Sequence, residues 1–184
     1  AIMADSEKLK TYRKRLGSLS WFMGRLNEPI AKQSNAEDYC TGKFWEGRYS
    51  AQALLDEAAV FSCMAYVDLN PVRARITERL EESKNTSIKK RLDNLQKNPD
   101  KNQLNKNIET ISGLINQQRL AMLLKDYIEL VEWTGKSIIH PNKASIPSHI
   151  TPILQRLNLQ QNHWLKQIEN YSSNYCHVVG SVEK

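Results

Sequence analysis

Apolar residues recur at three-to-four spacing early in the chain, at Leu9, Tyr12, Leu16, Leu19, Phe22, Met23, Leu26 and Ile30. That period predicts one long helix over residues 5–34. Asp5 or Ser6 suits its N-cap, and Glu7 suits a first turn where the helix dipole favours acids. Pro29 marks a kink or an early stop. The opposite side carries Lys10, Arg13, Lys14, Arg15 and Arg25, which reads either as a solvated face or as a track for phosphates. A polar connection, QSNAEDYCTG, leads to KFWEGRYS, an aromatic-rich run that predicts a strand or an extended segment.

Residues 53–69, ALLDEAAVFSCMAYVDL, are the strongest helical stretch, rich in Ala, Leu and Met with Asp56 and Glu57 early. Asn70-Pro71 predicts its end, because the residue before proline resists helical geometry. Residues 83–107 are rich in Asn, Lys, Gln and Ser and read as a polar linker, or as a marginal helix around Ile88 to Leu95 broken at Pro99. Helical periodicity returns from Ile108 to Trp133, with Gly135 placed as a C-cap. ITPILQRLNL and HWLKQIENY then predict a pair of short helices. The fold class expected is therefore mainly α.

Composition narrows the class. At 184 residues, with 40% hydrophobic and 25% charged, the chain has the make-up of a soluble globular protein. No stretch approaches the roughly 20 apolar residues of a membrane helix, and the start, AIMADSEKLK, lacks a signal-peptide pattern. A cytoplasmic protein with no membrane partner is the expectation. Cys40, Cys63 and Cys176 form no CxxC pair, which argues against a disulfide scaffold or a structural zinc site. The net charge of +6 points to nucleic acid, whose phosphates release counterions when neutralised. No glycine-rich phosphate loop of the GxGxxG or GxxxxGK kind occurs.

The stretch that carries chemistry runs from Gly42 to Arg75, GKFWEGRYSAQALLDEAAVFSCMAYVDLNPVRAR. Tyr66 falls on the last turn of its predicted helix and shares a face with Asn70 if that turn persists. Ser62 and Cys63 lie one turn beneath, and Arg73 and Arg75 follow directly. Such a tyrosine suits a packed ring with its hydroxyl at the rim. It also suits a nucleophile, but a phenol of pKa about 10 attacks phosphorus well only beside a metal or cations. Asp68 falls on another face and reads as solvated. Basic residues interleave with Tyr12, Trp21, Phe44 and Trp45, a mixture that can grip single-stranded DNA by charge and stacking. Arg48, Arg73 and Arg75 are the favoured DNA contacts, with Lys43, Arg13 and Arg15 added, whereas Trp21 and Trp45 are expected in the core.

This pairing of KFWEGRY with a helix ending Tyr-Val-x-x-Asn-Pro-Val-Arg-Ala resembles the single-tyrosine HUH transposases, most closely the REP-associated tyrosine transposases. The resemblance implies Tyr66 as the catalytic tyrosine and Asn70 as a side chain helping to complete a metal site. Phe44, Trp45, Glu46 and Arg48 match the segment before the tyrosine helix, while Arg75 stands where many members have glycine. Tyr12 to Ile30, DYIELVEWTGKSI, PILQRL and HWL are similar to parts of a longer subgroup. By this resemblance the chain divides into residues 1–82, the C-terminal part of a catalytic domain; 83–107, a linker; and 108–184, a helical extension. The implied activity is cleavage of single-stranded DNA beside a hairpin through a 5′-phosphotyrosine, followed by strand transfer in a bacterial mobile element.

The implied cofactor is a divalent metal, Mg or Mn, held by a His-hydrophobic-His strand. His140, His149, His163 and His177 all follow Tyr66 and none forms that pair, so this chain is expected to bind no such metal. The expectations are a truncated chain unable to cleave DNA alone, a remnant of an α+β ferredoxin-like sheet at most around Phe44 to Tyr49, and self-association through an uncovered apolar face. The alternative is a non-catalytic, basic, helical DNA-binding module.

Overall fold

The computed structural model describes residues 5–99, 101–108, 122–141, 146–171 and 178–179. The helical periodicity expected at 109–121, together with Cys176 and His177, lies outside these residues. The chain is mainly helical with a two-stranded parallel sheet, as its pattern predicts. It forms two compact units, residues 1–51 and 52–184. Among the described residues no helix is long and apolar enough to cross a membrane.

In the first unit, the single helix expected over residues 5–34 is two: α1, Ser6–Leu16, and α2, Leu19–Glu37. Asp5 caps α1, its carboxylate accepting from the amides of Glu7 and Lys8. Gly17 closes α1 and Ser18 restarts the chain, its hydroxyl accepting from the Trp21 amide at 3.3 Å. An interior glycine weakens a helix and a serine caps a new one, so local chemistry overrides the continuous apolar period. Pro29 sits inside α2 without ending it, among the i,i+3 and i,i+4 pairs Arg25–Glu28, Glu28–Lys32 and Gln33–Glu37.

KFWEGRYS is irregular rather than a strand, and no sheet remnant lies at Phe44 to Tyr49. Instead Trp45 Nε1 donates to the Asn27 carbonyl at 3.1 Å, and the rings of Phe44 and Trp45 meet edge-on at 4.8 Å. None of the described residues in this unit is buried. Trp21 and Trp45 are each 40% exposed, which corrects their expected place in a core. Two helices and a loop are too small to enclose large side chains.

In the second unit, the helix expected from residue 53 begins later. Ala53–Leu54 forms β1, parallel to β2, Val178–Val179, with Ala53 opposite Val178 and Leu54 opposite Val179. Asp56 then caps α3, Glu57–Asp68, accepting from the Ala59 amide at 2.7 Å. Asn70-Pro71 ends α3 but also starts α4, Asn70–Arg73. Pro71 is tolerated there because first-turn amides have no partner within the helix.

A 3-10 turn, Leu80–Glu82, leads to α5, Ser87–Lys97, which stops before Pro99 as expected. The segment read as a linker or marginal helix thus holds a capped helix whose Ile88 is fully buried. α6, Lys101–Leu104, α7, Leu124–Ile139, α8, Ile150–Arg156, and α9, Gln161–Glu169, follow among the described residues. α9 packs on α3 and α7, and α7 also packs on α4 and α8.

Gly135 is interior to α7 rather than its cap. A Cβ there would stand 3.2 Å from Leu69 Cδ2, so the glycine lets α7 approach the α3–α4 junction. The core gathers Phe61, Leu69, Ile88, Tyr127, Leu130, Trp164 and Ile168. One polar chain crosses it: Trp164 Nε1 donates to Thr134 Oγ1 at 2.9 Å, and Thr134 donates to the Leu130 carbonyl at 2.6 Å.

Asp68, expected to be solvated, is 1% exposed. Its carboxylate accepts from Ser87 Oγ at 2.9 Å, the Ile88 amide at 3.0 Å and Tyr127 Oη at 2.7 Å. It therefore joins the end of α3 to the start of α5 and to α7. Buried carboxylates persist where donors replace lost water, and here three donors on two elements, α5 and α7, supply them. Burial first, then the Asp68 charge, pushes the Tyr127 hydroxyl well above its ordinary pKa.

Candidate functional site

Tyr66 lies in the last turn of α3, half-buried at the edge of the core. Its ring stacks on Tyr171, centroids 4.7 Å apart and planes at 27°. The Arg73 guanidinium lies over the same ring with Cζ 4.3 Å from the centroid. Arg73 Nη2 also donates to the Glu169 carbonyl at 2.9 Å, at the C-terminal end of α9, where the dipole favours a cation. Such a cation–π contact is worth about 0.5–2 kcal/mol, depending on how dry it is.

The local sequence explains the clamp. α3 stops at Asp68, Leu69 turns with φ −88° and ψ 0°, and Pro71 allows a fresh single turn that brings Arg73 back over Tyr66. The turn shared by Tyr66 and Asn70 in the sequence reading is therefore interrupted at Leu69, and Asn70 is exposed. Arg75 follows the end of α4 in the left-handed region, at φ +55°, and is exposed. Glycine adopts that conformation without the Cβ penalty, which gives a physical reason for a glycine to be favoured at this place.

The structure thus brings Tyr66 and Arg73 together, with Asn70 and Arg75 on the same short turn. Arg13 and Arg15, in the last turn of α1, and Lys43 and Arg48, in the loop after α2, belong to the other compact unit. All four are exposed. Lys43 Nζ donates to the Glu46 carbonyl at 2.8 Å. Arg15 and Arg25 both lie over the Trp21 ring, with Cζ at 5.6 Å and 5.2 Å from its centroid. That arrangement resembles a basic, aromatic-bearing surface more than a core.

The described surroundings of Tyr66 do not fit a divalent metal. Its ring neighbours are a cation and a second phenol, Asn70 is a neutral amide, and Cys63 packs in the small cluster formed with Ala59, Tyr171 and Val179. Among the described residues no group of three or more His, Cys, Asp or Glu could hold a metal ion. The arrangement is suited to binding an anion: the Arg73 fork carries more N–H donors than its one bond to Glu169 uses.

Sequence reasoning missed Tyr171, the Glu169 carbonyl and Asp68. The first two reach Tyr66 and Arg73 from about a hundred residues away, and no local pattern encodes that meeting. Compared with protein-family models, with curated proteins and with solved structures, the chain matches none.

Proposed function

We propose that this chain is a DNA-handling protein of the single-tyrosine HUH transposase type, with Tyr66 at the nucleophile position and Arg73 and Arg75 as phosphate contacts. The observation that carries the reading is the Arg73 guanidinium laid over the Tyr66 ring, within the segment whose residues resemble the tyrosine helix of that family. A phenol meant to meet a scissile phosphate needs positive charge beside it, and here that charge is fixed by a backbone carbonyl. Exposed Arg75, Arg48, Lys43, Arg13 and Arg15 supply further cations of the kind that hold a nucleic-acid backbone. The substrate is single-stranded or hairpin DNA, the chemical setting DNA transposition and recombination.

A divalent Mg or Mn ion would supply Lewis-acid polarisation of the phosphate in a complete enzyme of this type. The described residues do not fit that ion, so the role proposed for this chain itself is DNA binding without cleavage. The non-catalytic binding module is the second reading, and the same observation favours it, since a ring in contact with both Tyr171 and Arg73 is well packed. The exposed apolar residues of α2, Leu19, Phe22, Leu26 and Ile30, support self-association.

One experiment tests the DNA reading and the non-cleaving role together. A 3′-labelled hairpin oligonucleotide, whose labelled fragment is the one a 5′-phosphotyrosine would retain, is incubated with the chain and Mn, then run on native and denaturing gels. The proposal expects a shifted native band, no covalent band, and equal native binding by Tyr66→Phe. A metal-dependent covalent band lost in Tyr66→Phe would make this chain a working nickase and overturn the non-cleaving role. Absence of any native shift would overturn the DNA reading.

A further inference from the structure

Away from Tyr66, the strongest unexplained feature is the charge on α5. Between residues 84 and 97 stand Lys84, Lys89, Lys90, Arg91 and Lys97 against a single carboxylate, Asp93. Beside this helix is a hollow of about 600 Å³ lined by Asn85, Thr86, Ser87, Lys89, Lys90, Asp93, Asn94 and Lys97. Several of these groups are already engaged. Lys89 pairs with Asp93, the Thr86 hydroxyl donates to the Ser83 carbonyl, and the Ser87 hydroxyl donates to Asp68. Arg91 does not line the hollow, and its Nε is buried.

What remains are exposed donors. Lys90, Asn94 and Lys97 follow one another at i, i+4 and i+7, so they share one side of α5 along about 10 Å. Asn85 is exposed at the N-terminal end, the positive end of the helix dipole. Among the described residues neither Lys90 nor Lys97 has a carboxylate partner.

We infer that this hollow binds the phosphodiester backbone of a nucleic acid, as a second contact surface beyond the Tyr66 site. The lining decides the partner class. It contains no apolar residue, so it offers no pocket for the anchoring side chain of a peptide and no face to insert into lipid. Two free ammonium groups with a carboxamide between them match a polymer that repeats negative charge along its length. Placement supports the same partner. The Asp68 carboxylate, two residues past Tyr66, holds the Ser87 hydroxyl and the Ile88 amide, so the start of α5 is tied to the end of the tyrosine helix. The helix that carries Tyr66 and the helix that carries Lys90 and Lys97 are therefore joined by one buried carboxylate. The choice of nucleic acid rests on the reading of the Tyr66 site as a DNA site; the location of the hollow does not.

The test uses the full chain and fluorescence anisotropy with a labelled hairpin oligonucleotide over a salt series. Lys90→Gln with Lys97→Gln should lower the slope of log affinity against log salt by about 1.4, two contacts at about 0.7 each on a single strand. Charge reversal at the same two positions should weaken binding more than about tenfold. Lys125→Gln with Lys136→Gln removes the same charge from α7 and should change little; an equal loss would reduce the effect to net charge and overturn the proposal.

Wild-type slope and affinity retained in the α5 variant, alongside loss in Arg73→Gln, would overturn the α5 surface and leave the Tyr66 reading intact. The reverse pattern would leave α5 standing and overturn the Tyr66 reading. Displacement of the oligonucleotide by polyglutamate as readily as by unlabelled oligonucleotide would assign the hollow to an acidic protein instead.

Discussion

Replacing Asp68 with alanine should remove a large part of the stability of the second unit. The carboxylate accepts from Tyr127 Oη at 2.7 Å, the Ile88 amide at 3.0 Å and Ser87 Oγ at 2.9 Å. Ser87 is exposed and regains water, so its loss is small. Tyr127 and Ile88 are fully buried and their donors would be left without a partner. An orphaned buried donor costs about 1–3 kcal/mol, which puts Asp68→Ala at about 3–5 kcal/mol after the cavity is included.

That is a large fraction of the roughly 5–15 kcal/mol that holds a typical domain together. Urea denaturation followed by far-ultraviolet circular dichroism reads the change as a lower midpoint at constant slope. Asp93→Ala, which removes only the partly exposed partner of Lys89, should cost less than about 1 kcal/mol. In the double variant Asp68→Ala with Tyr127→Phe, the two losses should overlap by about 1–2 kcal/mol, because they share one bond. An Asp68→Ala midpoint matching that of Asp93→Ala would refute the reasoning and return Asp68 to the surface.

Gly135→Val should destabilise by about 1–3 kcal/mol, since even a Cβ meets Leu69 Cδ2 at 3.2 Å, whereas Gly135→Ala gains helix propensity and should stay within about 1 kcal/mol of wild type; thermal melts of both compare them. Arg75→Gly should raise stability by about 1 kcal/mol by relieving a residue at φ +55°, while weakening DNA binding in the same preparation by removing a cation. The Tyr127 hydroxyl holds its proton more tightly folded than unfolded, chiefly through burial and then the Asp68 charge. Its contribution is therefore intact below the unfolded pKa of about 10 and is lost as pH rises beyond it. Wild type should lose stability more steeply than Tyr127→Phe above that pH in alkaline denaturation.

Much of the helix content was legible because it follows local rules. Asp5 and Pro99 mark helix ends that the chain respects, whereas Asp56 caps a helix expected to start already at residue 53. The errors have local causes too. Gly17 and Ser18 split an unbroken apolar period, and Pro71 starts a helix as readily as it ends one. Gly135 looked like a cap only because sequence does not show that Leu69 presses on it.

At the site, Tyr66 and Arg73 were visible from their own segment, and their contact needs only the turn at Leu69. Tyr171 was not visible as a partner, since stacking across about a hundred residues is set by how α9 packs on α3. Asp68 was misread for the same reason: its donors lie on α5 and α7, and a lone aspartate on a helix looks solvated until they are placed.

The central claim is that the cations around Tyr66 hold DNA by its phosphates, and the salt dependence of binding tests it most directly. A hairpin-bearing single-stranded oligonucleotide is titrated with the full chain from low to physiological salt, for wild type and for Arg73→Gln with Arg75→Gln. The account predicts a linear fall of log affinity with log salt, with a slope steeper than about −2 that becomes shallower by about 1.4 in the variant. Weak binding with a flat salt response, unchanged in the variant, would contradict it.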